Sequence, residues 1–485
     1  MPSIAFSLIN IAVYLLILIP VCIKAKRSSL QHSAADHYLA NRSLGFMVLF
    51  LTIYATTFSG NILGVSGQAY RTGFTWVMFA GLVAAITTSF HLVVPKLRPL
   101  SVKYHFITPG DWIRYRFGPD ANTLRVLVSI VLILSLGNFL FAQLKAAGEI
   151  IVVMTQETIP YEFGVLGFAL VILTYDILGG LRAVAWTDMI QGLIMLAGFT
   201  CLGLWIIDTS GGMEKLSTSI ALQRPESTQI PGTTTLIQWF SLMFLGGLSI
   251  TIYPQTLQRI FAASSDKALY QSLAAMGIVA LFTSTIFLFT GWVAIPLFSL
   301  DPGFQADQVL PRLLEHWAAS NIWNRISAMM VLLSILAAIM STADSVLLSL
   351  VSMIRHDLLK STKREGLKFD TVITIILMSL IAILALYRDI TLWRLIELKL
   401  ELLIQCFPAF ILSLHWRKVT SLPILAGLLA GLLILAFMLT ADIKQIFGIN
   451  AGLIALAGNM TLIICIYFIQ KLAPPKALSN QLVSK

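Results

Sequence analysis

The sequence predicts an all-α polytopic membrane protein, and three observations carry that prediction. Hydrophobic residues make up 57% of the 485 and charged residues 12%, with a mean hydropathy of +0.85, far outside soluble compositions. Apolar segments long enough to cross a bilayer, about 17 residues or more, recur along the whole chain. Candidate spans fall at about 3–24, 44–70, 74–95, 124–154, 160–178, 184–207, 235–258, 270–297, 325–354, 370–387, 392–415, 420–440 and 449–470, thirteen transmembrane helices in all. Third, alternating the loops with the N-terminus outside and the C-terminus cytoplasmic puts most of the 33 Lys and Arg on the inner side, as retention of basic residues requires. The densest inner cluster is Arg355, Lys360, Lys363, Arg364 and Lys368. The net charge of +10 is therefore a topology signal, and no nucleic-acid partner is expected.

The first run, 3–24, has no basic residues ahead of it and is followed by Lys24, Lys26 and Arg27, which reads as a retained helix. The second span contains Tyr54-Ala55-Thr56-Thr57-Phe58-Ser59-Gly60-Asn61-Ile62-Leu63-Gly64-Val65-Ser66-Gly67-Gln68, with three glycines and seven polar residues. Two readings stand for it. Unwound backbone at membrane depth is tolerated where protein or a watery cavity satisfies it, and such breaks form midplane binding sites. Alternatively, Gly60, Gly64 and Gly67 make a close-packing face.

Lys145 and Glu149 lie one turn apart on the fourth span and read as an i,i+4 ion pair unless they face a cavity. Gly179-Gly180 separates the fifth span from the sixth. In the seventh, Gly246-Gly247 precedes Thr251-Ile252-Tyr253-Pro254-Gln255, either a second break or a proline kink. These two interrupted segments head two five-span blocks, 44–207 and 235–415. An odd number of spans per block inserts the second one inverted, which is the inverted-repeat plan of secondary transporters. The pair 420–470 follows as two C-terminal helices.

The ninth span carries an anomaly. From Ile326 to Ile354 the only formal charge is Asp344, amid Ala337-Ala338-Ile339-Met340-Ser341-Thr342-Ala343-Asp344-Ser345. At about 100° per residue Ser334, Ala338, Ser341, Thr342 and Ser345 share one stripe, able to supply oxygen ligands or a close helix contact. Asp344 falls about 120° from that stripe, so a structural partner such as an inner-loop Arg is expected for it.

Other classes are disfavoured. Cys22, Cys201, Cys406 and Cys465 sit in candidate spans at no metal-ligand spacing and read as small buried hydrophobes. No segment is long or polar enough for a soluble domain, the largest loops being 208–234 and 298–324, so residues 1–485 are expected to form a single membrane domain with no obligate protein partner evident. His91 has no evident catalytic partner, and an enzyme is not expected.

Several blocks together resemble the sodium:solute symporter family, which includes proline, pantothenate, sugar and sialic-acid sodium symporters. They are Tyr38 to Gly45; Ile107 to Asp111 with Arg116-Phe117; Gly179-Gly180-Leu181-Arg182-Ala183-Val184-Ala185-Trp186-Thr187-Asp188; Pro254-Gln255 with Gln258-Arg259 and Ala262-Ala263; Ser341 to Ser345; and Gln405 and Pro408 with His415-Trp416-Arg417. The resemblance implies a leucine-transporter-like 5+5 inverted repeat with one extra N-terminal and two extra C-terminal helices. It places a Na⁺ site on the carbonyls of Ala55, Phe58 and Ala338 and the hydroxyls of Ser341 and Thr342. A neutral oxygen shell suits a hard cation that must also be released. Asp188 matches the family aspartate beneath that site and is expected to attract Na⁺ along its exit route; the other reading is a helix N-terminal carboxylate.

Asp176 stands where the family more often has a small residue, with Arg182 as its expected partner. Arg394, Glu397 and Glu401 fall on one side of the eleventh span, as an outer vestibule or a solvated helix end. The solute is expected against Ser59, Gly60, Asn61, Gln68, Tyr253 and Gln405, neutral groups suited to a small polar molecule. A Thr stands in the Thr56-Thr57-Phe58-Ser59 stretch where proline symporters carry an aspartate, which argues against proline, and a small carboxylate-bearing solute is favoured. The expected function is secondary active transport coupling inward Na⁺ movement to solute uptake, in a bacterial inner membrane. The alternatives are a proton-coupled carrier on this fold and a transporter-like sensor acting through a partner.

Overall fold

The computed structural model describes residues 34–298, 304–359, 366–387 and 389–472, with 11–14, 16, 18 and 20 of the first apolar run. The predicted span 3–24 therefore lies mostly outside the described residues. Its Tyr14 is buried, accepts a hydrogen bond from Gln191 Nε2 at 2.7 Å and faces Met340 Sδ at 3.8 Å.

The described chain is nearly all helical, with one antiparallel two-stranded hairpin, Gln445–Ile446 against Ile449–Asn450. By length and composition eight helical stretches among the described residues can cross a membrane: Asn61–Lys103, Pro119–Met154, Ala183–Ser210, Thr233–Ile250, Asp266–Phe298, Ile322–Leu358, Ser421–Thr440 and Ala451–Leu472. Phe46–Thr57, Tyr161–Thr174 and Phe369–Ala385 are shorter apolar helices.

Both expected interruptions are real breaks. Helix α1, Phe46–Thr57, stops where Phe58 turns extended (φ −93°, ψ 94°), and α2, Asn61–Thr72, resumes three residues later. Gly60 sits at that break because a Cβ there would meet the Cβ of Ala146 at 2.5 Å. Gly60, Gly64 and Gly67 do not form one packing face, since they meet Ala146, Trp393 and Ala306 respectively. After α3, Met78–Lys103, and α4, Asn122–Met154, the chain is helical from Tyr161 to Ser210, designated α5.

A straight helix of that length would extend about 75 Å. Yet Glu157, just before it, pairs with Arg312, and Trp205 near its far end stacks on Trp317, both on the short helix Val309–Ala318. The chain therefore doubles back within α5, whose two arms carry the apolar stretches Tyr161–Thr174 and Ala183–Ser210.

The second break follows α6, Thr233–Ile250. Tyr253 is extended (ψ 126°), and α7, Pro254–Ala262, restarts at Pro254. Proline suits the first helical position because its missing N–H would have no helical acceptor there. The break is thus more than a kink. The two broken segments meet end to end: Leu44 bridges Ala263, with Leu44 N–H donating to the Ala262 carbonyl at 3.2 Å. Arg42 ties the same corner, donating to the carbonyls of Phe261, Ser101 and Phe106 at 2.7, 2.9 and 3.0 Å. Burial lowers its pKa to about 10, helped by nearby Arg98.

Three further helices complete the frame: α8, Asp266–Phe298; α9, Ile322–Met353, passing into a π-turn at Ile354–Leu358; and α10, Leu392–Ile404, followed by a π-turn at Pro408–Leu412. Every residue of α9 from Ser334 to Met353 is buried. A helix apolar all round belongs at the centre of a bundle, so its hydroxyl stripe faces protein.

Candidate functional site

The break after α1 and the middle of α9 lie side by side. An α-helix leaves its last carbonyls without amide partners, and ending α1 at Thr57 releases those of its final turn, Ala55 included. The Thr342 hydroxyl lies 3.5 Å from the Thr56 carbonyl oxygen. Ala55, Phe58, Ala338, Ser341 and Thr342 are all buried. The two halves of the expected ion site, some 280 residues apart in sequence, thus come to one level of the bundle. The donors offered there are backbone carbonyl and hydroxyl oxygens, suited to a hard monovalent cation.

Directly beside it is a buried polar network. The Ser341 hydroxyl donates to Asp188 Oδ1 at 2.6 Å, and Thr52 donates to Oδ2. Arg259 Nη2 reaches Asp188 Oδ2 at 3.0 Å and Ser345 Oγ at 2.6 Å, while its Nε donates to Thr52 at 3.1 Å and Nη1 to the Gln255 carbonyl at 3.2 Å. Asp188 is fully buried, and its partners are side chains of α1, α7 and α9; a helix N-terminal role does not describe it. Arg259 stood in a recognisable block without a role; its acceptor is 71 positions away, beyond any local pattern.

Asp344 differs from expectation. It is fully buried, and among the described residues neither carboxylate oxygen has a hydrogen-bond partner. Arg355, one arginine of the expected kind, pairs instead with Asp370 at 2.6 Å. The side chain of Arg182, expected beside Asp176, lies outside the described residues. Lys145 and Glu149 are buried, with Gln308 Nε2 donating to Glu149 at 3.3 Å.

A cavity of about 140 Å³ opens against the break. Its wall includes Thr56, Phe58 and Asn61, Tyr253 and Gln255 from the second break, Phe139 of α4, and Ile396, Lys399 and Leu400 of α10. Of the expected solute contacts, Asn61 and Tyr253 line it. Ser59 and Gly60 stand just behind: Ser59 Oγ accepts from Asn61 N–H at 3.3 Å, and Gly60 N–H donates to Gln143 Oε1 at 2.8 Å. Gln68 opens into a separate pocket with Trp76, Trp393, Glu397 and Lys444.

Gln405 faces elsewhere. Its amide donates to the Gly452 carbonyl at 2.9 Å, and Asn459 donates to its backbone carbonyl at 3.0 Å, because α10 ends at Ile404 and the turn that follows carries the side chain toward the last helix pair. Arg394 bridges Glu397 and Glu401 at 3.1 and 3.0 Å; Glu401 is fully buried, so a solvated helix end does not describe this cluster.

Lys399, on the same helix, does not share that charged face. The signal lay in its register: Lys399 follows Leu392 by seven and Ile396 by three, which puts it on the buried apolar stripe.

Two broken spans enclosing a cavity and a hydroxyl-lined helix define a multi-pass membrane transporter. The chain belongs to the sodium:solute symporter family, whose profile matches residues 37–431. It is 24% identical over 466 residues to the sodium/pantothenate symporter of Escherichia coli K12, covering 90% of this chain and 92% of that one. It is 27% identical over 419 residues to the high-affinity proline transporter PutP of Bacillus subtilis 168, covering 84% and 86%. Among solved structures, the substrate-bound outward-open state of a Na⁺-coupled sialic acid symporter superposes with a TM-score of 0.77 at 17% identity, covering 96% of this chain and 98% of that one. Mhp1, a nucleobase-cation-symport-1 family transporter, superposes at 0.59, also at 17% identity, covering 92% and 96%. The protein is a Na⁺-coupled solute transporter, with Na⁺ as coupling ion, and not an enzyme.

Proposed function

We propose that the protein couples inward Na⁺ movement to uptake of a small organic carboxylate by alternating access. The observation that carries this reading is the contact between Thr342 on α9 and the Thr56 carbonyl at the end of α1. Na⁺ is held by the carbonyls of Ala55, Phe58 and Ala338 and the hydroxyls of Ser341 and Thr342, bridging two elements that separate when the inner side opens. Asp188 stands next to this shell and draws the ion inward. Its salt bridge to Arg259 keeps the carboxylate from binding Na⁺ too tightly to release it.

The solute occupies the cavity against Asn61 and Tyr253, with Ser59 and Gly60 shaping the break behind them; Gln68 belongs to its approach, and Gln405 is not a contact. Relatives named for pantothenate and proline support a carboxylate cargo. The architecture proposed is thirteen helices: 3–24, then inverted five-helix repeats over 44–207 and 235–415, then 420–470. The N-terminus is outside and the C-terminus cytoplasmic in a bacterial inner membrane.

The test is uptake by the full chain in proteoliposomes with imposed Na⁺ gradients, using a panel of labelled organic acids, amino acids and sugars. Uptake requires Na⁺, and Thr342→Val or Ser341→Ala raises the Na⁺ concentration for half-maximal rate. Uptake driven by a pH gradient and indifferent to Na⁺ overturns the reading.

A further inference from the structure

We propose that Lys399 selects the solute: its ammonium is the carboxylate-binding cation of the central cavity, and the cargo is a monocarboxylate with an apolar body. This rests on the transport reading above and narrows its solute class.

Lys399 is 3% exposed and lines the cavity. Its Nζ lies 3.7 Å from the ring centroid of Phe139 and 5.1 Å from that of Tyr253. Among the described residues no carboxylate pairs with it, and no Asp or Glu lines the cavity. The other cation in the wall, Arg259, is matched by Asp188. The cavity therefore holds one basic side chain with no counter-ion among the described residues. Burying an ammonium without a counter-ion is costly. Two ring faces offset part of that cost, but they give its N–H groups no oxygen acceptor. A single carboxylate supplies both the charge and the acceptors.

The position is built rigidly. Ser135 and Ser249 donate to the carbonyls of Lys399 and Leu400, each at 3.1 Å, and Asn138 donates to that of Leu395 at 2.6 Å. These bonds anchor α10 on both sides of the lysine, so its head group is presented to the cavity by a fixed helix. The rest of the cavity is mostly apolar, with Ile62, Leu82, Ile86, Phe90 and Phe287 in its wall, which suits a hydrocarbon body better than a polyhydroxylated one. Asn61 Oδ1 and the Tyr253 hydroxyl are buried and lack hydrogen-bond partners among the described residues, leaving two groups to read a polar substituent. A cationic solute is repelled by the same lysine.

The experiment compares each acid with its own amide. The purified full chain, wild type, Lys399→Met and Lys399→Arg, is assayed in Na⁺ buffer for equilibrium binding of labelled medium-chain fatty acids, pantothenate and proline and of the corresponding uncharged amides. Na⁺-driven uptake in proteoliposomes is measured in parallel. Wild type binds at least one acid in preference to its amide. Lys399→Met lowers affinity for that acid by roughly thirtyfold or more, the scale for truncating one partner of a buried charge pair, and abolishes the preference. Lys399→Arg retains it.

The acid-to-amide ratio is read within each variant, so partial loss of folded protein does not imitate the effect. Equal binding of acid and amide by wild type, an unchanged ratio in Lys399→Met, or no acid bound from the panel overturns the inference. Na⁺-dependent uptake alongside any of these leaves Na⁺ coupling standing without the carboxylate cargo, whereas acid-selective binding with Na⁺-independent uptake sinks the coupling and keeps the lysine.

Discussion

Arg259 donates to Asp188 across 3.0 Å, and both side chains are closed off from solvent. Through Thr52, Ser341 and Ser345 the pair joins α1, the second arm of α5, α7 and α9. Removing one partner of a buried pair leaves an uncompensated charge, at a cost of about 3–5 kcal/mol. Asp188→Leu and Arg259→Met are each expected to lower the thermal midpoint in detergent substantially, while the double variant recovers much of the loss. A double variant no more stable than the worse single one contradicts this coupling.

A ligand that binds only the folded state stabilises it in proportion to its concentration over Kd. Na⁺ is therefore expected to raise the thermal midpoint of the purified protein where choline at equal ionic strength does not. Thr342→Val shifts that response to higher Na⁺ concentration. An unchanged midpoint curve in Thr342→Val removes its hydroxyl from the ion site.

Gly60 is packed against Ala146, with its amide bonded to Gln143. Gly60→Ala forces a clash in a closed site, and overpacking of this kind costs about 1–3 kcal/mol. The expected result is lowered stability and slowed uptake. Gly60→Ala combined with Ala146→Gly, which removes the opposing methyl, recovers part of both. Failure of that rescue rejects the steric account.

Arg42 holds the meeting point of the two broken segments through three carbonyls on separate stretches of chain. Arg42→Gln loses most of those bonds and is expected to open that corner more often. An Ala263→Cys substitution, in a background lacking the native cysteines, is then labelled several times faster by a water-soluble thiol reagent than in the Arg42 parent. Equal labelling rates show that the corner is not held by this guanidinium.

What the sequence determined by itself is what depends on local chemistry. Hydropathy marked the eight helical stretches that can cross a membrane among the described residues, and the glycine-rich and proline-bearing stretches near Gly60 and Pro254 marked both breaks, because backbone that cannot continue a helix is written in consecutive residues. The hydroxyl stripe of α9 was visible for the same reason. Only the tertiary structure decided the partners. Arg259 chose Asp188, Asp344 has no hydrogen-bond partner among the described residues, Gln405 turned toward Gly452, and Lys399 was placed over Phe139 and Tyr253 inside the cavity. Each outcome turns on which helices pack together and how each is rotated about its axis, and a rotation of one residue, about 100°, moves a charge from a salt bridge to a cavity wall.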